Sequence, residues 1–178
     1  MRKIVGICQP HFLPWQGFFE IIKNCDEFVI LDDVKKSNHN KNWQISSNFR
    51  SHIKKPKIKN LKLKLSEKNN NLLINQCKLS NDQSFLEEIR KVYYKTPYFE
   101  KYFEILSYNF GIKKNLLDLN LYFLNFFLEI INCKTTLIKS SDISNDKNLK
   151  KLDYILDILK SRNCKTYLSF LGSKAYNE

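Results

Sequence analysis

Three stretches of the sequence carry side chains that could do chemistry. The first, QPHFLPWQGFF at residues 9–19, sets two prolines, an imidazole, an indole and a glycine directly after an apolar run. Pro10 and Pro14 each fix a φ angle and remove a donor, so the loop reads as rigid, and Gly17 permits close backbone approach where a helix begins. A rigid loop feeding a helix start suits an anion. The competing reading is a structural turn that buries Phe12 and Trp15. His11, inside the loop, titrates near neutrality when unperturbed and is a candidate proton acceptor. The second stretch is the pair Asp32 and Asp33, which closes the apolar run EFVIL. Either carboxylate could orient a sugar hydroxyl, share a metal with substrate oxygens or act as a base. Adjacent strand residues face opposite ways, so one at most meets a ligand, and a strand-ending Asp is often only a turn former. The third is TYLSFLGSKAY at residues 166–176, where Tyr167, Ser169, Gly172, Ser173, Lys174 and Tyr176 follow or end a strand. Hydroxyls, a glycine and a lysine in that place suit a phosphate or carboxylate, and the alternative is a frayed polar terminus.

Other reactive side chains carry less. His39 and His52 sit in Lys-rich sequence and read as solvated, and no His/Cys spacing supports zinc. Cys8 has no identifiable His partner and reads as a small buried thiol rather than a nucleophile. Asn120 falls on the apolar side of a long helix and needs a hydrogen-bond partner.

The elements that must position these groups follow from periodicity. An apolar run at 3–8, a helical pattern at 17–24 and a second apolar run at 27–31 make a βαβ unit of about 30 residues. Such a unit favours a parallel sheet with ligands at the carboxyl ends of its strands. Residues 34–60 read as a long polar loop broken by Trp43, Ile45 and Phe49. Leu61, Leu63 and Leu65 alternate with lysines as in a half-exposed strand; 66–71 reads as a turn and 72–79 as a further strand. Helices are expected at 82–95, 97–109, 115–132 and 148–163, and short strands at 135–139 and 166–169. The apolar run 116–131 is a buried helix rather than a membrane span, because Asp118, Tyr122, Asn125 and Glu129 form one polar stripe. The expected fold is α/β: a single domain over residues 1–178, with a mostly parallel sheet begun by the N-terminal βαβ unit and a helix-rich C-terminal half.

Composition narrows the partners. The five cysteines are dispersed without a C-x-x-C pair, which fits a reducing compartment, and the apolar run of residues 1–8 is too short for a signal-peptide core. A cytoplasmic location is expected. The net charge of +12 would ordinarily imply a polyanion. Nearly all of it is Lys, with only Arg2, Arg50, Arg90 and Arg162 able to make a bidentate fork, and acids are interspersed. This favours a solvated basic face over a specific nucleic-acid site.

QPHFLPWQGFF, DEFVILDDV from Asp26, YKTPYFEKYF from Tyr94, LLDLNL from Leu116, SSDI from Ser140 and TYLSFLGSKAY follow one another in an order and spacing that resemble the WbqC-like family. The resemblance runs from Gln9 to Tyr176. It implies a role in O-antigen or related surface-polysaccharide synthesis, with a glycine, acyl or aminoacyl transferase acting on an activated amino sugar, either nucleotide-linked or lipid-linked. It implies neither cofactor nor metal, and it allows association with polysaccharide-assembly enzymes. Matching positions are Gln9, Pro10, Pro14, Trp15, Gly17, Asp32, Asp33, Asp118, Asn120, Tyr167, Ser169, Gly172 and Tyr176. In this reading His11 or Asp33 takes the amine proton, and Lys174 or the helix start at Gly17 holds phosphate. Two positions depart from the family pattern: Phe170 stands where glycine is usual, and Arg50 is the lone arginine of a stretch usually rich in Asn and Arg. Family members usually extend beyond the last motif, so a chain ending at Glu178 is expected to have weakened or lost activity. That points to a non-catalytic sugar- or partner-binding module as the alternative. The first unit also resembles the nucleotidylyltransferase-like arrangement, although the second histidine of that signature is absent.

Overall fold

The structure is a computed structural model that describes residues 2–37, 42–50, 58–67, 71–143, 146 and 148–170. His39, His52, Gly172, Ser173, Lys174 and Tyr176 lie outside the described residues. In chain order the elements are β1 (Ile4–Cys8), α1 (Gln16–Lys23), β2 (Glu27–Ile30), β3 (Ser46–Arg50), β4 (Ile58–Lys62), α2 (Ser84–Tyr93), α3 (Phe99–Ile112), α4 (Leu116–Ile130), β5 (Thr136–Lys139), α5 (Lys151–Ser161) and β6 (Thr166–Leu168). The class is α/β with a mostly parallel sheet, as expected. The chain divides into two compact units, one of Met1–Pro10, Trp15–Val34 and Phe126–Glu178, the other of His11–Pro14 and Lys35–Asn125.

In the first unit four parallel strands lie in the order β5-β2-β1-β6. The runs IVGIC and EFVI are apolar throughout rather than alternating because both faces of a parallel sheet are covered. On one face α1 buries Phe18 and Ile22. Gly6 lies opposite Phe28 in the register, and a Cβ there would stand 2.6 Å from the Phe28 ring. On the other face α5 sets Tyr154, Ile158 and Leu159 against Val5, Ile7 and Val29. Each large aliphatic side chain buried in this way contributes roughly 1.5–3 kcal/mol. Successive strands run outward from β1 to β5, and the chain then returns to the far side of β1 as β6. The order therefore reverses between β1 and β6, the position at whose carboxyl ends open α/β sheets bind ligands.

The second unit corrects two sequence expectations. Residues 34–60 are not all loop: β3 pairs antiparallel with β4, from Ser46 opposite Lys62 to Arg50 opposite Ile58. SSNFR carries too few apolar residues for periodicity to reveal it, and the pairing supplies what composition does not. Residues 72–79 are not a strand. Ile74 and Cys77, three apart and fully buried, close a 3-10 turn whose Gln76 side chain accepts the Leu73 N–H at 3.2 Å. Leu79 and Lys78 make only isolated bridges, to Leu65 and Asn115. The long helix is α4, with Asp118, Asn125 and Glu129 exposed as the stripe predicts. Among the described residues no helix is long and apolar enough to cross a membrane.

Candidate functional site

The apolar strand β2 runs into Asp32 and Asp33, and its neighbour β5 runs into a 3-10 turn, Ser140–Asp142. Parallel pairing brings the two strand ends together across 108 residues of sequence. Asp32 is buried, 1% exposed, and each of its carboxylate oxygens is engaged. Oδ1 accepts the Ser141 amide at 2.9 Å and the Ser140 hydroxyl at 3.1 Å, and Oδ2 accepts the Ser141 hydroxyl at 2.7 Å. The Asp32 amide in turn donates to Ser140 Oγ at 3.2 Å. Asp33 is half-buried; Tyr154 donates to its Oδ1 and Oδ2, at 2.9 and 2.8 Å, and Ser140 Oγ also contacts Oδ1. Ser140 thus stands between two carboxylates with a single hydroxyl proton, which it can donate to either Asp32 or Asp33 but not to both at once. The arrangement fixes both carboxylates in place. Ser140, Ser141 and Tyr154 are the residues that sequence reasoning did not assign. Ser140 and Ser141 stood in the sequence only as part of the motif SSDI, without a role, and Tyr154 carried no signal.

The remaining first-unit candidates distribute along the strands. Gln9 follows β1 and Ser169 follows β6, both half-buried at the carboxyl ends that flank the reversal. Trp15, at the start of α1, is 54% exposed rather than packed away, whereas Phe12 is buried as the structural-turn reading expects. The benzo ring of Trp15 occupies the space beside Gly17: a Cβ at that position would lie 1.7 Å from the indole. Close approach at Gly17 therefore serves the protein's own tryptophan. Phe170, the departure from glycine, stacks on Phe18 at 5.4 Å and meets Trp15 edge-on at 6.4 Å. Tyr167 packs beside the Val5, Ile7 and Tyr154 cluster, and burial pushes its hydroxyl up to about 12. Burial likewise pushes the Cys8 thiol up to about 12, so it is a protonated thiol at neutral pH and no nucleophile.

His11 and Asn120 belong to the second unit. The loop is held there by Phe12 N–H donating to the Trp43 carbonyl at 2.8 Å and Ser47 Oγ donating to the Leu13 carbonyl at 2.8 Å, with Leu13 at φ 44°. The His11 ring stacks on Trp43 with centroids 6.5 Å apart. Burial lowers its pKa to about 4, leaving a neutral imidazole at pH 7. Asn120, 1% exposed, donates to the Gln44 carbonyl at 2.8 Å, which sets the orientation of its amide. Its Oδ1 has no hydrogen-bond partner among the described residues. Gln44 is itself part of a buried polar set, its Oε1 accepting from Ser37 N–H at 3.1 Å and its N–H donating to Asn42 at 3.0 Å. Among the described residues no group of His, Cys, Asp and Glu is placed to hold a metal ion.

Comparison with known proteins is consistent with the order of these motifs. A stretch of 33 residues is 46% identical to an uncharacterized protein, Rv1507c, of Mycobacterium tuberculosis, covering 18% of this chain and 14% of that relative. No solved structure matches. The model of the WbqC-like protein family matches residues 9–178, which takes in β1's carboxyl loop, both aspartates, the Ser140 turn and β6. The chain belongs to the WbqC-like protein family.

Proposed function

We propose that this chain is a cytoplasmic transferase that moves an acyl or aminoacyl group, glycine among the candidates, onto an activated amino sugar during surface-polysaccharide assembly. The observation that carries this reading is the clamped pair Asp32 and Asp33 at the carboxyl edge of a parallel sheet, where such folds bind ligands. Membership of the WbqC-like family is consistent with the pathway. In the transfer step the sugar nitrogen attacks the acyl carbonyl, the donor's leaving group departs, and the amine proton passes to Asp33, whose orientation is set by Tyr154 and Ser140. His11, neutral at pH 7, is the other acceptor, and the two are separated by variants. Gln9, Trp15, Asp32, Asn120, Tyr167, Ser169 and Tyr176 are assigned to the substrate, and Lys174 with the α1 start at Gly17 to its phosphate. Residues 1–178 act in this reading as one functional domain on a nucleotide-linked or lipid-linked sugar.

The test is mass-spectrometric detection of an acylated product when purified protein is offered nucleotide amino sugars with acyl and aminoacyl donors. Product formation supports the proposal, and the absence of both product and thermal shift sinks it. A second reading, a non-catalytic sugar- or partner-binding module, is favoured by Phe170 filling the place beside Trp15 and Phe18. It predicts a thermal shift without turnover.

A further inference from the structure

Within the first unit a concavity opens between the end of α5 and the edge strand β6. It holds about 400 Å³ and is lined by Leu156, Leu159, Lys160, Asn163, Lys165 and Tyr167, among others. That size falls within the roughly 300–1,000 Å³ of small-molecule sites. Its apolar part is the buried Leu159, Leu156 at 42% exposed, and the half-buried ring of Tyr167. Asn163 ends α5 at φ 54°, a left-handed conformation that asparagine tolerates, and past this reversal Lys165 comes to line the same groove as Lys160. The carbonyls at the helix end are already covered: Arg162 N–H donates to Ile158 at 3.0 Å, Cys164 N–H to Leu159 at 2.9 Å and Asn163 N–H to Lys160 at 3.0 Å. Side chains therefore set the polarity of the groove.

Those side chains are unspent donors. Among the described residues neither Lys160 nor Lys165 makes an ion pair, and neither the Asn163 amide nor the Tyr167 hydroxyl makes a hydrogen bond. The cations next along the same edge of the sheet, Lys3 and Arg162, are engaged by Glu27. No carboxylate lines the groove: Asp153 and Asp157 of α5 lie outside the lining, and Asp157 accepts the Asp146 N–H at 3.2 Å. From this geometry we infer that the groove binds a small phosphate monoester of an apolar alcohol, its phosphate between Lys160 and Lys165 and its alkyl chain on Leu156 and Leu159. Two ammonium groups match the charge of about −1.5 to −2 that such a phosphate carries at neutral pH, whereas a carboxylate would leave one of them uncompensated. The Asn163 amide and the Tyr167 hydroxyl, which burial keeps protonated, supply further donors. An added peptide strand is the poorer occupant, because β6 offers only three residues to pair. A second copy of this chain would set lysines against lysines. Tyr167, given above to the substrate, is shared with this groove, and binding here does not depend on transfer.

The test is isothermal titration calorimetry of the full chain with no sugar or acyl donor present, so its result stands apart from that of the transfer assay. Hexyl phosphate should bind at least tenfold more tightly than inorganic phosphate or 1-hexanol. Lys165→Gln and Leu156→Ser change exposed side chains, so each should keep the thermal midpoint and weaken hexyl phosphate at least tenfold. Lys101→Gln, which removes an exposed charge from the second unit, should leave that affinity unchanged. Inorganic phosphate or 1-hexanol binding as tightly as hexyl phosphate overturns the inference, and so does parental affinity in either Lys165→Gln or Leu156→Ser. An equal loss in Lys101→Gln overturns it as well, as does the absence of hexyl phosphate binding, whether or not the chain binds phosphatidic acid vesicles.

Discussion

The two edges of the parallel sheet handle carboxylates in opposite ways. At the amino edge Glu27 opens β2 and is gripped by cations: Arg162 donates Nε at 2.9 Å and Nη2 at 2.8 Å in a bidentate fork, and Lys3 stands 2.8 Å away. Asp26 beside it accepts the Ile4 N–H at 2.7 Å. The Arg162 hydrogen bonds hold the Glu27 carboxyl below its usual range. At the carboxyl edge Asp32 and Asp33 close the same strand, and hydroxyls and an amide hold them. Ion pairing consumes charge in order to fasten β1, β2 and α5 together. The hydroxyl and amide hydrogen bonds at the carboxyl edge fix the positions of the Asp32 and Asp33 carboxylates. One strand thus carries a structural acid at its start and the candidate chemical acids at its finish.

The comparison is broken most severely by Asp33→Asn. Removing a general base lowers transfer by roughly 10²–10⁴-fold, while the amide oxygen of the substituted side chain can still accept from Tyr154, so steady-state product formation should collapse with little loss of fold. Next comes Asp32→Ala, which strips the acceptor from the Ser141 amide and from the hydroxyls of buried Ser140 and exposed Ser141. A loss of roughly 2–4 kcal/mol in denaturant unfolding is expected, larger than for either serine alone. The loop that leaves β1 gives a smaller effect. His11 has its pKa lowered to about 4, so the unfolded chain binds the extra proton first as pH falls. Stability is therefore complete above the ordinary imidazole value and declines from there down to about pH 4. His11→Gln should flatten that decline, by roughly 2 kcal/mol across the window. The smallest effect is Arg162→Met, about 1 kcal/mol at neutral pH, because Lys3 still faces Glu27 and the pair is partly exposed. Glu27 has a lowered pKa, so its stabilisation exists above the ordinary carboxylate range and fades as pH falls through it. The variant should then match the parent protein in acid unfolding.

Legibility in the sequence follows the same division. β1, α1 and β2 are readable because buried strands and an amphipathic helix write their periods into apolar residues, and Asp32 and Asp33 fall at a strand end on that pattern alone. The hairpin β3–β4 is not readable, since Ser46, Ser47 and Asn48 are polar and their order comes from pairing. The partners of the aspartates are hidden for another reason. Ser140 lies 108 residues from Asp32, and only the strand order β5-β2 makes them neighbours. Tyr154 looks like any apolar residue on the inner face of α5; its ring is core and its hydroxyl belongs to the site. Asn120 is marked by the sequence as needing a partner, and the structure supplies half of one: its amide nitrogen is satisfied at Gln44, and its Oδ1 is not among the described residues.

The central claim is that the carboxyl edge does chemistry while the amino edge holds the fold, and single-turnover transfer measured beside thermal unfolding for Asp33→Asn and Arg162→Met tests it most directly. The account predicts a near-native midpoint with product formation down at least a hundredfold for Asp33→Asn, and a lowered midpoint with undiminished turnover for Arg162→Met. Undiminished transfer by Asp33→Asn would contradict it.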